Sequence, residues 1–335
     1  ESQVSHRLFE QFLPNEDAAA LKRCAQEFGD FEMYIQGPVA EGFGAGLVRR
    51  HDAVANYMRR LGSSGEMQHV LARLNLFRGT YALHDDVRKP LCKPMLESKK
   101  FLEAAATLTG RPRVRPSMLY ANVLLPGQEL AVHTDTPEYR GIDKWNMPEW
   151  FLVVMMHSGL FEKWRKHVTA GVAFFGDCEG GEFLFYPHGA EGRCERLPVR
   201  FNTAIHLDVD GTFHGVARVG GPETAPPPLE PGMKLRYAGD DEWELRQEDN
   251  VVQSYASGEL RFSVQWKANC YADEAEEELA LSHKDDLTVE GVIDRIESDL
   301  RERGRIEGER PDDHALALLM MDEYIRFPTE QGLSD

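Results

Sequence analysis

The stretch "SMLYANVLLPGQELAVHTDTPEYRG" (Ser117–Gly141) reads as a strand, a turn and a second short strand ending on His133, Thr134 and Asp135. Aromatic and branched aliphatic residues fill its first half, and Pro126-Gly127 is a turn signal. Side chains at i and i+2 of a strand share a face, so His133 and Asp135 point the same way. An imidazole and a carboxylate side by side suit a metal ion. The triplet alone decides little, because His84–Asp86, His206–Asp208 and His283–Asp285 repeat its pattern.

The third ligand has to come from another strand, and this separates the four triplets. His84–Asp86 lies in "ALHDDVRKP", outside the strand-rich region, and reads as a solvated turn. His283–Asp285 sits in a charged helical tail with only His314 beyond it. His206–Asp208 is on a plausible strand, but His214 follows across "DVDGT" with too little chain to reach round a site. His133–Asp135 opens the β block. Far downstream, "NTAIHLDVDGTFHGVARVGG" (Asn202–Gly221) supplies a strand, a turn and His214. Two imidazoles and one carboxylate on one face of the ion, with open positions opposite, is the set that iron(II) oxygen chemistry favours.

A second feature lies in "GELRFSVQW" (Gly258–Trp266), where Arg261 and Ser263 share one face of a strand and Leu260, Phe262 and Val264 the other. A guanidinium pointing into a small barrel is costly unless it meets an anion. That anion is either an internal Asp or Glu or a bound carboxylate, which Arg grips at two points with Ser adding a third hydrogen bond.

The rest of the chain frames this block. Residues 1–110 read as a mostly helical support region: "DAAALKRCAQEF" sets Leu21, Cys24 and Phe28 on one face, and "HDAVANYMRRLG" does the same with Val54, Tyr57, Met58 and Leu61. Residues 111–271 hold the short β-rich runs "SMLYANVLL", "FLVVMM", "GVAFF", "GEFLFYP", "NTAIHLDV" and "ELRFSVQW", punctuated by turn residues, as in a barrel or double-sheet sandwich. An insertion at about 220–258 begins with the Pro-rich "GGPETAPPPLEPG" and continues as the hairpin "MKLRY…WELRQ"; it reads as decoration more than as a lid or partner surface. Residues 272–335 form a helical extension, with Val289, Val292, Ile293, Ile296 and Leu300 on one stripe and Leu316, Leu319, Met320 and Tyr324 on another.

Composition narrows the function. At 335 residues the chain can bury a large core, and its net charge of −18 argues against a nucleic-acid or anionic-membrane partner. Five scattered cysteines without a CxxC fit a reducing compartment and no structural zinc. The longest apolar run, "WFLVVMM", is too short to span a bilayer, and "ESQVSHRLFE" lacks signal-peptide character, so the expected location is cytoplasmic. Oligomeric state is not legible.

In order and spacing, His133-x-Asp135, His214 and Arg261-x-Ser263 resemble the iron(II)/2-oxoglutarate-dependent oxygenases, over roughly Pro116 to Asn269. "GGEFLFYP" (Gly180–Pro187) and "FHGVARV" are similar to that family's GGE and distal-histidine strands. The resemblance implies a mainly β core, a double-stranded β-helix (jelly roll), with helices packed outside. It implies that His133, Asp135 and His214 bind Fe(II), that Arg261 and Ser263 hold the far carboxylate of 2-oxoglutarate, and that Tyr120 and Asn122 touch this cosubstrate. It implies a dioxygenase consuming O2 and releasing succinate and CO2, with Asp135 favouring hydroxylation, desaturation or ring closure over halogenation. The chain departs from many relatives in placing Arg261 far beyond His214, with the insertion between. Lys267, six residues after Arg261, stands where nucleic-acid demethylases carry a second Arg, a reading the net charge opposes.

For the small-molecule substrate, a small polar metabolite with amino acids among the candidates, the sequence offers Arg140, Trp145 and Trp150 after the ligand pair, and Arg218 after His214. Two other classes accommodate the same residues. One is a barrel metalloprotein with this triad and no 2-oxoglutarate, such as a cupin-like oxygenase or a hydrolase; the other is a non-catalytic binding module.

Overall fold

The computed structural model describes residues 5–34 and 72–328. Its strands run β1 (His6–Phe9), β2 (Phe31–Met33), β3 (Phe77–Leu83), β4 (Asp86–Val87), β5 (Arg113–Leu124), β6 (Leu130–His133), β7 (Glu138–Tyr139) and β8 (Arg165–Phe174). They continue as β9 (Phe183–Phe185), β10 (Glu195–Leu197), β11 (Thr203–Leu207), β12 (His214–Val216), β13 (Lys234–Gly239), β14 (Glu242–Gln247), β15 (Asn250–Ala256) and β16 (Arg261–Tyr271). The helices used below are α1 (Asn15–Gln26), α2 (Lys99–Thr109), α3 (Glu149–Ser158), α4 (Glu274–Ser282), α5 (Val289–Glu302) and α6 (Asp313–Tyr324).

Eight of the strands cross back and forth between two antiparallel sheets. The quartet β11-β8-β16-β5 sits at the centre of a larger sheet, and β10-β9-β12-β6 makes up a smaller one. Leu124, Val172 and Phe174 from the first pack with Phe183, Phe185 and Val216 from the second, so the two quartets share an apolar interior. This strand order is a double-stranded β-helix, or jelly roll, in which closing one sheet over the other leaves few free edges. The larger sheet extends past β5 through β3, β2, β13, β14 and β15, and β1 borders β11.

Outside the larger sheet, α1 and α2 cover an apolar layer that includes Leu21, Cys24, Phe101 and Trp266. Phe101 stacks on Phe12 at 4.1 Å and lies against Trp266 at 5.4 Å, which fixes its ring over β8. Only a glycine fits beneath it: a Cβ on Gly171 would come within 2.4 Å of the ring.

Two expectations change in the structure. The "FLVVMM" run is the helix α3, with Pro148 before it and Gly159 closing it at φ 70°. It is buried on all sides against α5 and α6, so it has no polar face, and a continuous apolar run of this length cannot be told from a buried strand by periodicity. The first third also contributes strands: β1, β2 and β3 join the larger sheet. The first two are only 4 and 3 residues long and exist through their pairing with β11 and with β3, which local propensity does not register. The segment around Val54, Tyr57, Met58 and Leu61 lies outside the described residues.

The C-terminal stripes form as read, with Val292, Ile296, Leu300, Leu316, Met320 and Tyr324 buried against α3. The insertion folds as the hairpin β13–β14 plus β15, at the far end of the larger sheet. No helix among the described residues is long and apolar enough to cross a membrane. Gly171→Ala should drive a methyl group into Phe101 and lower unfolding free energy by about 1–3 kcal/mol, measured by urea denaturation.

Candidate metal centre

His133 closes β6 and His214 opens β12, and the two are direct cross-strand partners in the smaller sheet. Their rings lie 4.5 Å apart between centroids. Each ring is oriented by its own backbone: His133 Nδ1 donates to the Ala131 carbonyl at 2.7 Å and His214 Nδ1 to the Thr212 carbonyl at 2.8 Å. A carbonyl can only accept, so both imidazoles are held as the Nδ1–H tautomer, with the Nε2 lone pairs turned to a common point.

Asp135 completes the set. Its N–H donates to the Val209 carbonyl at 2.8 Å, tying the end of β6 to the turn before β12. Its Oδ1 lies 3.5 Å from His133 Nε2 and 3.4 Å from His214 Nε2, and the three ligand atoms fall within 4.8 Å of one another. Two neutral nitrogens and one carboxylate oxygen on one side of a shared point fit a divalent transition metal with positions left open.

The second oxygen of Asp135 has a different partner. Lys267 Nζ lies 2.5 Å from Oδ2, reaching across from β16 with 18% of its side chain exposed. Burial of the carboxyl raises its pKa, but the Lys267 ammonium outweighs this and holds it well below the usual carboxylate range. The division of labour is geometric: Oδ1 faces the histidines, and Oδ2 is occupied by a cation that turns the carboxylate. Close by, Asp210 on the turn before His214 is fully buried with neither oxygen hydrogen-bonded among the described residues; burial, then Asp208, raise its pKa.

Arg261 stands deeper in the barrel, 1% exposed, with its guanidinium 5.2 Å from the Phe174 ring. Nε donates to the Gly181 carbonyl at 2.7 Å and Nη1 to Ser263 Oγ at 3.2 Å. Gly181 permits the first bond. Its φ is 65°, and a Cβ there would meet Arg261 Cδ at 3.0 Å. Nη2 is buried with no partner, and Arg261 makes no ion pair among the described residues. Burial pushes the guanidinium pKa down to about 10, against Cys178 and Glu182. Phe183, two residues beyond Gly181, stacks on His214 at 5.7 Å, and Arg261 shares a face of β16 with Lys267, whose ammonium reaches Asp135.

Tyr120 and Asn122 project from β5 beside Ser263 and Gln265 of β16, both almost wholly buried. Asn122 Oδ1 accepts from Arg78 Nε at 2.9 Å, and the Arg78 guanidinium lies 4.3 Å from the Tyr120 ring and 4.1 Å from the Tyr34 ring. The sequence reading missed Arg78. Its only local signal is the alternation in "FRGTYAL", which becomes informative once β3 is known to border β5.

The residues read as substrate contacts are placed otherwise. Arg140 is 4% exposed and bonds Asp285 through Nε at 2.7 Å and Nη2 at 2.8 Å, with Nη2 also on the Lys163 carbonyl at 2.7 Å. It is a strut between the loop after Asp135 and the helical extension, in place of the substrate contact expected of it. Arg218 pairs with the buried Glu129 at 3.5 Å, which Arg73 also approaches at 3.6 Å. Trp145 is 76% exposed at the surface, and Trp150 packs on Phe151.

No protein-family model matches the chain, and no curated protein matches its sequence. Among solved structures it is similar to a viral collagen prolyl hydroxylase from Paramecium bursaria Chlorella virus-1 in complex with 2-oxoglutarate, at 10% identity and TM-score 0.39 over 79% of this chain and 96% of that one. It is also similar to HygX from Streptomyces hygroscopicus with nickel and 2-oxoglutarate bound, at 8% identity and TM-score 0.41 over 80% and 84% of the two chains.

Two substitutions separate positioning from support. Lys267→Gln frees Oδ2 of Asp135 and should weaken Zn(II) or Co(II) binding by about 10- to 100-fold in a competition titration, as loss of groups orienting metal ligands does. Arg140→Met should lower stability by about 1–3 kcal/mol, the scale of hydrogen bonds to a charged group, while leaving metal affinity unchanged.

Proposed function

We propose that the protein is an Fe(II)/2-oxoglutarate-dependent oxygenase that oxidises a C–H bond of a small polar metabolite. The observation that carries this is Arg261: a buried guanidinium with Nη2 unpartnered and no ion pair among the described residues, on the face of β16 that also carries Lys267, whose ammonium reaches Asp135. An uncompensated buried cation is strongly unfavourable unless an anion reaches it in the working state. A cosubstrate carboxylate supplies that anion, and a metalloprotein without one has no use for the residue.

Each side chain then has a task. His133 and His214 would offer Nε2, and Asp135 would offer Oδ1, to Fe(II), leaving positions open for the cosubstrate and O2. Arg261 Nη2 would take the far carboxylate of 2-oxoglutarate at two points together with Ser263, whose hydroxyl otherwise donates to the Asn122 carbonyl only at 3.5 Å. Asn122 keeps its Nδ2 donors available, because Arg78 engages only Oδ1. Phe174 and Phe183 wall the cavity and exclude water. The metal and cosubstrate supply the oxidising chemistry, with decarboxylation to succinate and CO2; the protein supplies geometry and a dry enclosure. Hydroxylation, desaturation and ring closure all begin with the same loss of hydrogen from carbon, and this constellation serves each.

Anaerobic addition of Fe(II) and 2-oxoglutarate should give a weak visible charge-transfer band. Arg261→Gln should require roughly a hundredfold more 2-oxoglutarate to reach it, since removing one partner of a buried charge pair costs ~2–5 kcal/mol. A protein that binds Fe(II) yet shows no band at saturating 2-oxoglutarate would be a triad metalloprotein of another kind.

A further inference from the structure

A second cavity, of about 200 Å³, lies on the side of the larger sheet away from the barrel. Leu260 and Phe262 line it, alternating along the chain with Arg261 and Ser263, so the two pairs face opposite ways. Phe175, just past β8, and Trp243 of β14 supply further walls. The insertion between His214 and Arg261 thus builds one side of an enclosed space, through Trp243.

These walls are held in place. The Phe175 N–H donates to the Phe262 carbonyl at 3.1 Å, and the two rings lie 6.4 Å apart. Phe31 at 5.7 Å and Tyr237 at 5.4 Å pack against Trp243. Its Nε1–H is taken by Ser257 Oγ at 3.1 Å, so the indole offers the cavity carbon surface alone. Ser257 in turn donates from N and Oγ to the Asp241 carbonyl, at 2.9 and 3.2 Å. The four wall residues are buried, whereas Phe201, edge-on to Phe175 at 6.1 Å, is 38% exposed and forms a lip.

Three charged residues line the same cavity: Asp177, Asp241 and Lys22. All are exposed, which puts them at the rim. Asp177 Oδ1 accepts from the Phe201 N–H at 2.9 Å, fixing that carboxylate beside the lip. None of the three makes an ion pair among the described residues. Two carboxylates against one ammonium leave the rim with a net negative charge.

A cavity of about 150 Å³ lined by Leu, Ile and Phe takes up benzene, so this one has room for a single aromatic ring on a short chain. Apolar walls with a few polar groups at the edge are the usual composition of a small-molecule site. We propose that the cavity binds a small aromatic amine, its ring among Phe175, Phe262 and Trp243 and its protonated amino group at the rim with Asp177 and Asp241. A neutral ring gains burial alone, and one bearing a carboxylate meets like charge at the rim. The site shares no residue with the metal centre or the cosubstrate residues, and it stands whether or not the oxygenase reading does.

Phenethylamine, 2-phenylethanol and phenylacetate carry the same ring on a two-carbon chain and differ in charge. Each is titrated into the whole chain by saturation-transfer NMR, with Zn(II) and 2-oxoglutarate absent and then saturating. The indole N–H resonance of Trp243, assigned by its loss in Trp243→Phe, locates the site. Phenethylamine should bind tightest, shift that resonance, and keep its affinity when Zn(II) and 2-oxoglutarate are present. Asp177→Asn keeps the acceptor for Phe201, and Asp241→Asn suits a backbone φ of 62°, which Asn adopts readily. Together they should weaken phenethylamine by about threefold or more, the scale of two exposed charge contacts, and leave 2-phenylethanol unchanged. Lys22→Gln, by removing the opposing charge, should tighten phenethylamine. An alcohol or acid that binds as well as the amine, an amine that leaves the Trp243 resonance in place, or an Asn double variant with wild-type affinity would each overturn the proposal. So would competition between the amine and 2-oxoglutarate, which would place the amine in the barrel.

Discussion

Directly opposed residues in an antiparallel pair hold their Cβ atoms about 4.5–5.5 Å apart, close enough for two imidazoles to share one ion. His133 and His214 are such a pair, on strands 81 residues apart in the chain but hydrogen-bonded in the smaller sheet. Slipping β12 by one residue would turn His214 to the opposite face and leave a single histidine beside Asp135. The register is therefore the constraint on which the site depends. It is enforced from both sides: Phe183 and Phe185 pair with β12 on its other edge, and the Val209 carbonyl fastens Asp135 to the preceding turn.

Charge in the cavity is arranged in layers. At the floor, Arg261 is desolvated and one of its donors has no partner. In the middle, Lys267 holds one oxygen of Asp135 and leaves the other to the histidines. At the rim, Arg78 is locked by Asn122 and two tyrosine rings.

The helical parts of the molecule serve this barrel from outside. The layer under α1 and α2 stiffens the larger sheet from behind, through the contact of Phe101 with Gly171. The extension does so at the loop after the triad, where Asp285 receives Arg140 and the Leu287 N–H donates to the Arg140 carbonyl. The C-terminal helices therefore brace the loop that follows Asp135 without contributing to the triad.

Much of the jelly roll was legible because strands buried on one face alternate, and turn residues mark their ends: β5, β8, β9, β11 and β16 all coincide with runs that the sequence displays. Residue chemistry also determined which groups could serve as ligands, since a buried Arg-x-Ser and a distant His have few other uses. Elements that owe their existence to a neighbour stayed hidden. The helix α3 has no polar face to reveal its period, and β3 becomes a strand of the barrel's sheet by pairing with β5. The same limit explains the substrate residues. Whether an arginine is a strut, as Arg140 is on Asp285, or is held by an amide and two aromatic rings, as Arg78 is, depends on which groups the folded chain brings within reach, and contacts across 145 residues leave no trace in local sequence.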